Sequence, residues 1–249
     1  MSDALGVESM ESAKRLSRAF TAAEALKECP GCQSGKVLVT LDEQDEYLVA
    51  CPLLDRKCTH GQRLGDQLDR HAMANVKALQ GLPQRFHAPL DDPKPGDSIR
   101  GVNRWNQEGF LLLYGDHGTG KSFAAAYALY LLARKALLAN WKYPTAWGAF
   151  NALWVSAYRA TTKDDVFEVA RTAPVLVLDD LGGEENTNRA RARIAEIVSE
   201  RYNHRKLTII TTNEDALKLE GAYGKRMADR ILGDGLSVHC SGESWRLAS

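Results

Sequence analysis

The stretch GDHGTGKS at residues 115–122 limits the possible folds of this chain more than any other part of its sequence. It matches the P-loop pattern G-x-x-x-x-G-K-[ST] at every fixed position. A short apolar run at residues 110–114 precedes it, and residues 121–138 follow with no Gly or Pro. This order predicts a buried strand, a loop and a helix. Such an arrangement points backbone N–H groups and the positive end of a helix at a phosphate group.

The P-loop residues have expected parts in holding a nucleotide. Lys121 is expected to reach the β- and γ-phosphates, and Ser122 is expected to bind Mg²⁺. Gly118 and Gly120 allow backbone angles and a close approach that a Cβ would obstruct. The sequence therefore predicts a site for ATP with Mg²⁺.

A second motif, PVLVLDDLG at residues 174–182, belongs with the P-loop. Its four apolar residues predict a central strand, and two aspartates follow where ligands collect in parallel sheets. Asp179 is expected to hold Mg²⁺, directly or through water, opposite Ser122. Asp180 is placed to orient the attacking water. The residues predicted to bind nucleotide and Mg²⁺ are Gly115, Gly118, Thr119, Gly120, Lys121, Ser122 and Asp179.

The rest of the sequence after residue 110 alternates between strand-like and helix-like runs. A further strand-like run, LTIITTN at residues 207–213, ends in Asn213, whose amide is expected to contact the γ-phosphate or the attacking water. This alternation predicts an α/β fold with a parallel sheet and right-handed crossovers. The five predicted strands are residues 110–114, 152–157, 175–178, 207–211 and 237–240.

Composition sets the class of protein rather than its chemistry. The chain has 249 residues, a formal net charge of +0 and 44% hydrophobic residues, which allows one large domain or two smaller ones. Zero net charge gives no global argument for binding nucleic acid. No apolar run is long enough for a membrane span, and the start MSDALGVESMES lacks the features of a signal peptide. A cytoplasmic location without disulfides is the expectation.

Four cysteines near the N-terminus suggest a metal site instead. Cys29 and Cys32 have the spacing of a zinc knuckle, and Cys51 and Cys58 form a second, irregular pair. Residues 37–40 and 47–50 predict a small hairpin between the pairs, which together is the layout of a zinc ribbon. The fourth Zn²⁺ ligand is either Cys58 or His60. The fifth cysteine is isolated and is predicted to lie in the core: Cys240.

The motifs VLVLDDLGGE, IITTN, GKRMADRI and ESWR, in this order after the P-loop, resemble those of the DnaC/DnaI bacterial helicase loaders and of their IstB-type transposon relatives. The stretch GLPQRFHAP at residues 81–89 is similar to a segment that precedes the core in this family. The resemblance implies an AAA+ P-loop ATPase core. It also implies almost no C-terminal lid, since only three residues follow Arg246.

The resemblance also implies roles for three arginines. In these loaders an arginine of a Gly-x-Arg-x-x-Asp-Arg segment reaches the ATP of the neighbouring subunit. Arg230 is the expected finger here, with Arg226 beside it, and Arg246 matches the second sensor arginine, which acts in cis. With Asp180 and Asn213, these three complete the predicted catalytic set.

The implied organisation has three parts. Residues 1–61 form a zinc-binding, helicase-interaction domain, residues 62–100 a connector helix and linker, and residues 101–249 the ATPase domain. The implied function is loading of a hexameric, DnaB-type replicative helicase onto single-stranded DNA. The resemblance implies an ATP-bridged oligomer and slow hydrolysis stimulated by DNA or partner. The alternatives are a transposition ATPase that recruits a transposase, and a zinc-ribbon adaptor whose ATP site is only a slow switch.

Two further groups of residues each have two interpretations. The basic cluster of residues 189–206 either lines a channel for single-stranded DNA or forms a solvated face paired with Glu196 and Glu200. Its members are Arg189, Arg191, Arg193, Arg201, His204, Arg205 and Lys206. Trp141, Tyr143 and Trp147 are expected to cover the edge of the core, with base stacking as the alternative.

Overall fold

The computed structural model describes residues 18, 36–41, 45–50, 59–79, 81–87, 90, 93–142 and 150–242. The chain divides into two compact units. One comprises residues 1–71 and 134–148, and the other comprises residues 72–133 and 149–249.

The first unit contains the predicted hairpin. Strands β1 (Lys36–Leu41) and β2 (Asp45–Ala50) pair antiparallel, with Lys36 opposite Ala50 and Leu41 opposite Asp45. The strands extend a little beyond the predicted ranges, since Lys36, Leu41, Asp45 and Glu46 also belong to the ladder. In the same unit, Arg134 Nε lies 2.6 Å from Asp69 Oδ1.

The remaining elements alternate between helix and strand. They are α1 (Thr59–Lys77), α2 (Asp97–Arg104), β3 (Phe110–Tyr114), α3 (Lys121–Lys142), β4 (Ala152–Ser156), α4 (Ala157–Thr162), α5 (Asp164–Thr172), β5 (Val175–Leu181), α6 (Asn188–Asn203), β6 (Leu207–Thr212), α7 (Ala216–Tyr223), α8 (Lys225–Gly233) and β7 (Gly235–His239). A 3-10 turn, Gln84–Phe86, lies between α1 and α2.

The second unit is built on a five-stranded parallel sheet in the order β4-β5-β6-β3-β7. All five predicted strands are present, so the predicted α/β fold with a parallel sheet is confirmed. In this order β3 lies between β6 and β7. The connection after β3 runs toward β4 on one side of the sheet, whereas the connection after β6 runs to β7 on the other side, so a topological switch point lies between β3 and β6. Ligands in such sheets bind outside the carboxyl ends of the strands at this switch point, where the P-loop follows β3.

The core explains why these strands read as continuous apolar runs. Residues such as Leu111, Leu113, Leu176, Leu178 and Ile210 are fully buried, because helices cover both faces of a parallel sheet. Complete burial of each such side chain contributes about 1.5–3 kcal/mol to folding.

Helix α1 differs most from expectation. A connector helix is predicted within residues 62–100, whereas α1 already starts at Thr59 and ends at Lys77. Its buried positions Leu64, Leu68, Ala72 and Val76 follow a four-residue spacing that begins before Gly65. Burial of this stripe therefore outweighs the low helix propensity of glycine.

Within the described residues, no helix is both long and apolar enough to cross a membrane.

Candidate nucleotide-binding site

A cavity of about 570 Å³ opens beside the P-loop, at the carboxyl ends of the strands. It brings together seven of the residues that the sequence predicted to act on the nucleotide: Gly118, Gly120, Lys121, Ser122, Asp179, Asp180 and Asn213. These residues come from the loop after β3, the start of α3, the end of β5 and the position directly after β6.

The backbone of the P-loop depends on glycine. The φ values are 130° at Gly115, 83° at Gly118 and 82° at Gly120. Residues with a side chain rarely adopt this backbone conformation. A Cβ on Gly115 would lie 2.3 Å from the carbonyl oxygen of Cys240. The Cys240 N–H donates to Tyr114 O at 2.7 Å, so the loop starts directly against the end of β7. Cys240 is buried there, as predicted, and burial raises the pKa of its thiol to about 11.

Lys121 is nearly buried and is held by the loop itself. Its Nζ donates to Gly115 O at 2.7 Å and to Asp116 O at 2.6 Å. Thr119 is also buried, and its hydroxyl donates to Asp116 O at 2.9 Å. Gly115 and Thr119 therefore shape the loop, whereas Lys121 also lines the cavity.

Asp179 connects the P-loop helix to the sheet. One carboxylate oxygen, Oδ1, accepts hydrogen bonds from Ser122 Oγ at 2.9 Å and from Thr211 Oγ1 at 2.6 Å. A hydroxyl and a carboxylate this close are hard oxygen ligands of the kind that Mg²⁺ prefers. The residues present therefore fit a magnesium ion, with Ser122 and Asp179 as its protein ligands.

Asp180 lies in a bulge of β5. Leu178 pairs with Ile210 and Leu181 with Thr212, so two aspartates lie opposite the single residue between those partners on β6. Asp180 has φ 60°, an unusual value for a residue with a side chain, and its side chain is exposed.

Hydrogen bonds fix Asp180 on two sides. Its N–H donates to Thr211 Oγ1 at 2.9 Å, and Asn213 Nδ2 donates to its Oδ1 at 3.3 Å. A Cβ on Gly183 would lie 2.5 Å from Asp180 Oδ2, so a side chain there would displace the carboxylate. Asp180 is thus aimed into the cavity beside Asn213.

Sequence reasoning missed the part of Thr211, which contacts both aspartates. The polar ending TTN of β6 carried the signal, but the sequence alone favoured only its last residue. Thr211 lies opposite both Asp179 and Asp180 because of the bulge in β5. No pattern in the sequence predicts that bulge.

The loop after β5 connects this cavity to α7. Glu184 Oε2 accepts the Gly182 N–H at 2.9 Å, and Glu184 Oε1 accepts a hydrogen bond from Tyr223 Oη. Burial, with the neighbouring Glu184 carboxylate, raises the pKa of Tyr223. Gly224 follows with φ 88° and directly precedes α8.

The two arginines predicted near the γ-phosphate lie in another cavity of about 440 Å³. Its lining residues are Tyr202, Lys225, Arg226, Asp229 and Arg230, and none of them lines the nucleotide cavity. Arg230 Nη1 donates to Ser199 Oγ, and its Cζ lies 5.3 Å from the centroid of the Tyr202 ring. Arg226 is exposed.

The basic cluster does not form one surface. Arg193 and Arg189 both approach Asp164, as their helical spacing predicts, and the hydrogen bond from Arg193 lowers the pKa of Asp164. His204 Nε2 lies 3.3 Å from Glu200, whereas Glu196 pairs with Arg171 from outside the cluster.

Arg201 is a correction to the surface interpretation of this cluster, because it is fully buried. Its guanidinium donates to Thr208 Oγ1, to Leu207 O and to the carbonyls of Ala170 and Ala173, at 2.6–3.0 Å. Burial lowers its pKa to about 10. The charge therefore connects α6, α5 and β6 inside the protein.

Several predicted residues lie outside the described part of the chain or have side chains outside it. These are Cys29, Cys32, Cys51, Cys58, His60, Trp141, Tyr143, Trp147 and Arg246. Among the side chains that the structure does describe, no group of three or more His, Cys, Asp or Glu residues is placed to hold a metal ion.

Known proteins resemble this chain in sequence and in fold. The replicative helicase loader DnaI of Bacillus subtilis (strain 168) is 26% identical over 163 residues, 60% of this chain and 51% of that protein. The chain thus spans about half the length of this relative. A crystal structure of DnaI has a TM-score of 0.51 at 21% identity, over 68% of this chain and 98% of that one. A crystal structure of the DnaC helicase loader has a TM-score of 0.47 at 26% identity, over 64% of this chain and 100% of that one.

The likeness to DnaI confirms the AAA+ P-loop fold of the parallel sheet. The profile of the family described as IstB-like ATP binding protein matches residues 23–249, nearly the whole sequence. With its P-loop and paired aspartates in one cavity, this chain belongs to the IstB-like ATP binding protein family.

Proposed function

We propose that this chain is an ATP-dependent loader that places a hexameric, DnaB-type replicative helicase on single-stranded DNA during initiation or restart of replication. The observation that carries the proposal is the sequence match to the helicase loader DnaI. The geometry supports it, because Ser122, Asp179, Asp180 and Asn213 line one cavity of about 570 Å³ beside the P-loop. An ATP-driven loader needs such a site because ATP binding and hydrolysis drive its change of conformation.

ATP would lie along the P-loop, with its phosphates against the backbone N–H groups and Lys121. Lys121 would leave the carbonyls of Gly115 and Asp116 for the β- and γ-phosphates. Ser122 and Asp179 would hold Mg²⁺, which neutralises charge on the phosphates when it is bound. Asp180 would accept a hydrogen bond from the attacking water, and Asn213 would keep the Asp180 carboxylate in place.

Hydrolysis would also need a second copy of the chain. Arg230 is held by Ser199 and Tyr202, in a cavity separate from the nucleotide cavity of its own chain. From a neighbouring subunit, Arg230 would stabilise the charge that develops on the γ-phosphate, with Arg226 beside it. Arg246 would act in cis. The active form would then be an oligomer with ATP between subunits.

Single-stranded DNA would be bound by the cations of the cluster that are exposed to solvent. Arg189 has a side chain that is 78% exposed, and Arg205 is also exposed. Arg201 and Arg193 take no part in this surface, because the first is buried and the second is bound to Asp164 and Thr161.

The helicase contact would come from the zinc module of residues 1–61. Its proposed ligands are Cys29, Cys32, Cys51 and Cys58, with His60 as the substitute for the last. Zn²⁺ would supply much of the folding free energy of such a small module, on the order of 10 kcal/mol.

Light scattering on a sizing column tests the proposal. The whole chain is mixed with the replicative helicase of its host, ATP and Mg²⁺, and the mass is compared with that of each protein alone. We expect a complex that Cys29→Ser with Cys32→Ser abolishes together with the bound zinc. Arg205→Ala, which changes an exposed side chain outside the module, serves as the control and should leave the complex intact.

A transposition ATPase is the second candidate, and the match to the IstB-like family over residues 23–249 favours it. A zinc-loaded, folded protein that forms no complex with the helicase but assembles on duplex DNA would establish it instead. The adaptor alternative would be supported by ATP turnover near zero with both helicase and single-stranded DNA present.

A further inference from the structure

Arg85 lines the nucleotide cavity, although it belongs to neither the P-loop nor the ends of β5 and β6. It lies on the 3-10 turn Gln84–Phe86, which precedes the whole sheet in the sequence. It shares the cavity with Ser122, Asp179 and Asp180. It is also none of the arginines to which the family resemblance assigns a role.

The turn that carries Arg85 is anchored to β4. The Phe86 N–H donates to Pro83 O at 2.9 Å, and the Phe86 ring is buried with its centroid 5.4 Å from that of Trp154. Gly81 has φ 86°, and a Cβ there would lie 2.0 Å from Trp154 O. The backbone of the turn therefore has a fixed position against the edge of the sheet.

The side chain of Arg85 is exposed, and its Cζ lies 4.8 Å from the centroid of the Phe86 ring. Among the described side chains, no carboxylate lies within ion-pair distance of it, whereas Arg100 pairs with Asp97 and Arg193 with Asp164. The face of Phe86 orients the guanidinium without neutralising its charge. A positive charge thus borders a cavity suited to phosphates.

The other residues of the cavity indicate which phosphate is nearest. Ser122 and Asp179 would hold the Mg²⁺ that accompanies ATP, and Asp180 would orient the water that attacks the γ-phosphate. The γ-phosphate therefore belongs beside these three residues. Ser156, at the end of β4, lines the cavity on the strand that anchors the Arg85 turn. The guanidinium fork matches the oxygens of a terminal phosphate in shape and charge.

We propose that Arg85 binds the γ-phosphate in cis and makes the site distinguish ATP from ADP. ADP lacks the phosphate that Arg85 would contact, so its affinity would not depend on this side chain. The proposal rests on the ATP site and not on helicase loading, and the two can fail separately.

Equilibrium binding of the non-hydrolysable β,γ-imido analogue of ATP and of ADP, both with Mg²⁺, tests the proposal. For Arg85→Ala we expect the affinity for the analogue to fall about tenfold or more, while the affinity for ADP changes less than about twofold. Arg85→Met keeps apolar contact with Phe86 and should show the same selective loss. Arg85→Lys should recover part of it, and Gln84→Ala, on the same turn, should bind both nucleotides as the wild type does.

Equal losses for both nucleotides, or no loss for either, would overturn the assignment of Arg85. Thermal unfolding without nucleotide checks the fold, because a destabilised turn would lower the melting temperature of Arg85→Ala more than that of Arg85→Met. A wild-type chain that binds neither nucleotide would refute the ATP site itself, whatever the helicase experiment gives.

Discussion

The nucleotide cavity and the cavity around Arg230 contrast in how their charged groups are held. In the first, Lys121 and Asp179 are nearly buried, and hydrogen bonds fix both to the backbone or to neighbouring strands. In the second, Lys225, Arg226 and Asp229 are exposed on the single helix α8. The residues that line the first cavity hold one another in place, whereas the second cavity presents cations outward.

The contrast follows from the elements that build each cavity. The carboxyl ends of parallel strands have positions set by the sheet, so side chains there are held in defined positions relative to one another. A surface helix presents long side chains at its periphery, which suits contact with another molecule. In this interpretation the first cavity binds ATP and the second acts on the ATP of a neighbour.

The largest expected effect is loss of nucleotide binding in Lys121→Ala. The substitution removes the one charged side chain of the P-loop that can reach the β- and γ-phosphates, so affinity for ATP should fall by about 100-fold or more. Titration with a fluorescent ATP analogue measures it, and Lys225→Ala is the matched control in the other cavity. Equal affinities in the Lys121 variant and the wild type would remove the basis of the comparison.

Arg230→Ala should separate binding from turnover. It leaves the nucleotide cavity of its own chain intact, so ATP affinity should stay within about twofold, while the turnover rate of the assembled protein falls by about 100-fold. Steady-state hydrolysis at saturating ATP measures the rate.

A mixture of the two variants sharpens this test. Lys121→Ala keeps Arg230 but cannot use ATP, and Arg230→Ala binds ATP but lacks the arginine. If Arg230 acts across subunits, mixing the two inactive proteins should restore part of the turnover. A mixture as inactive as its components, with assembly still observed, would place Arg230 outside catalysis in trans.

The sequence was sufficient for the sheet and for most of the nucleotide cavity. Apolar runs of the right length specify buried parallel strands, and the P-loop pattern specifies its own backbone through glycine. Asp179 and Asp180 could be placed because strand ends in such sheets converge at one edge. These predictions depend on local patterns and on one general rule of topology.

Residues whose role depends on long-range register were not predictable in the same way. Thr211 bonds both aspartates only because β5 bulges against β6. In the sequence, Arg201 cannot be distinguished from the other cations of the basic cluster. In the fold it is a buried core residue. Helical periodicity alone cannot decide which arginine meets carbonyls and which meets water.

Arg201→Met tests whether one face of α6 has a structural role in the core, distinct from the face that holds Arg230. Arg201 joins this helix to β6 and α5, while Ser199 and Tyr202 on the same helix hold Arg230. Removal of the guanidinium leaves buried carbonyls without donors, so the free energy of unfolding should fall by about 2–4 kcal/mol. Urea unfolding measures it, and Arg205→Met, at an exposed site, should change it by less than about 0.5 kcal/mol. Equal stability in both variants would contradict a structural role for Arg201.

The smallest expected effect concerns the wall behind the P-loop, where Cys240 lies against Gly115. Burial raises the pKa of this thiol to about 11, above its ordinary value near 9, so the folded state holds the proton more tightly than the unfolded state. The stabilisation is fully present below about pH 9 and is lost as the pH rises through about 11. Between pH 8 and pH 10 the wild type should therefore lose about 1 kcal/mol more stability than Cys240→Ala, measured by urea unfolding under reducing conditions. Parallel pH profiles for the two proteins would mean that water reaches the Cys240 thiol. The P-loop side of the nucleotide cavity would then be as exposed to solvent as the cavity around Arg230.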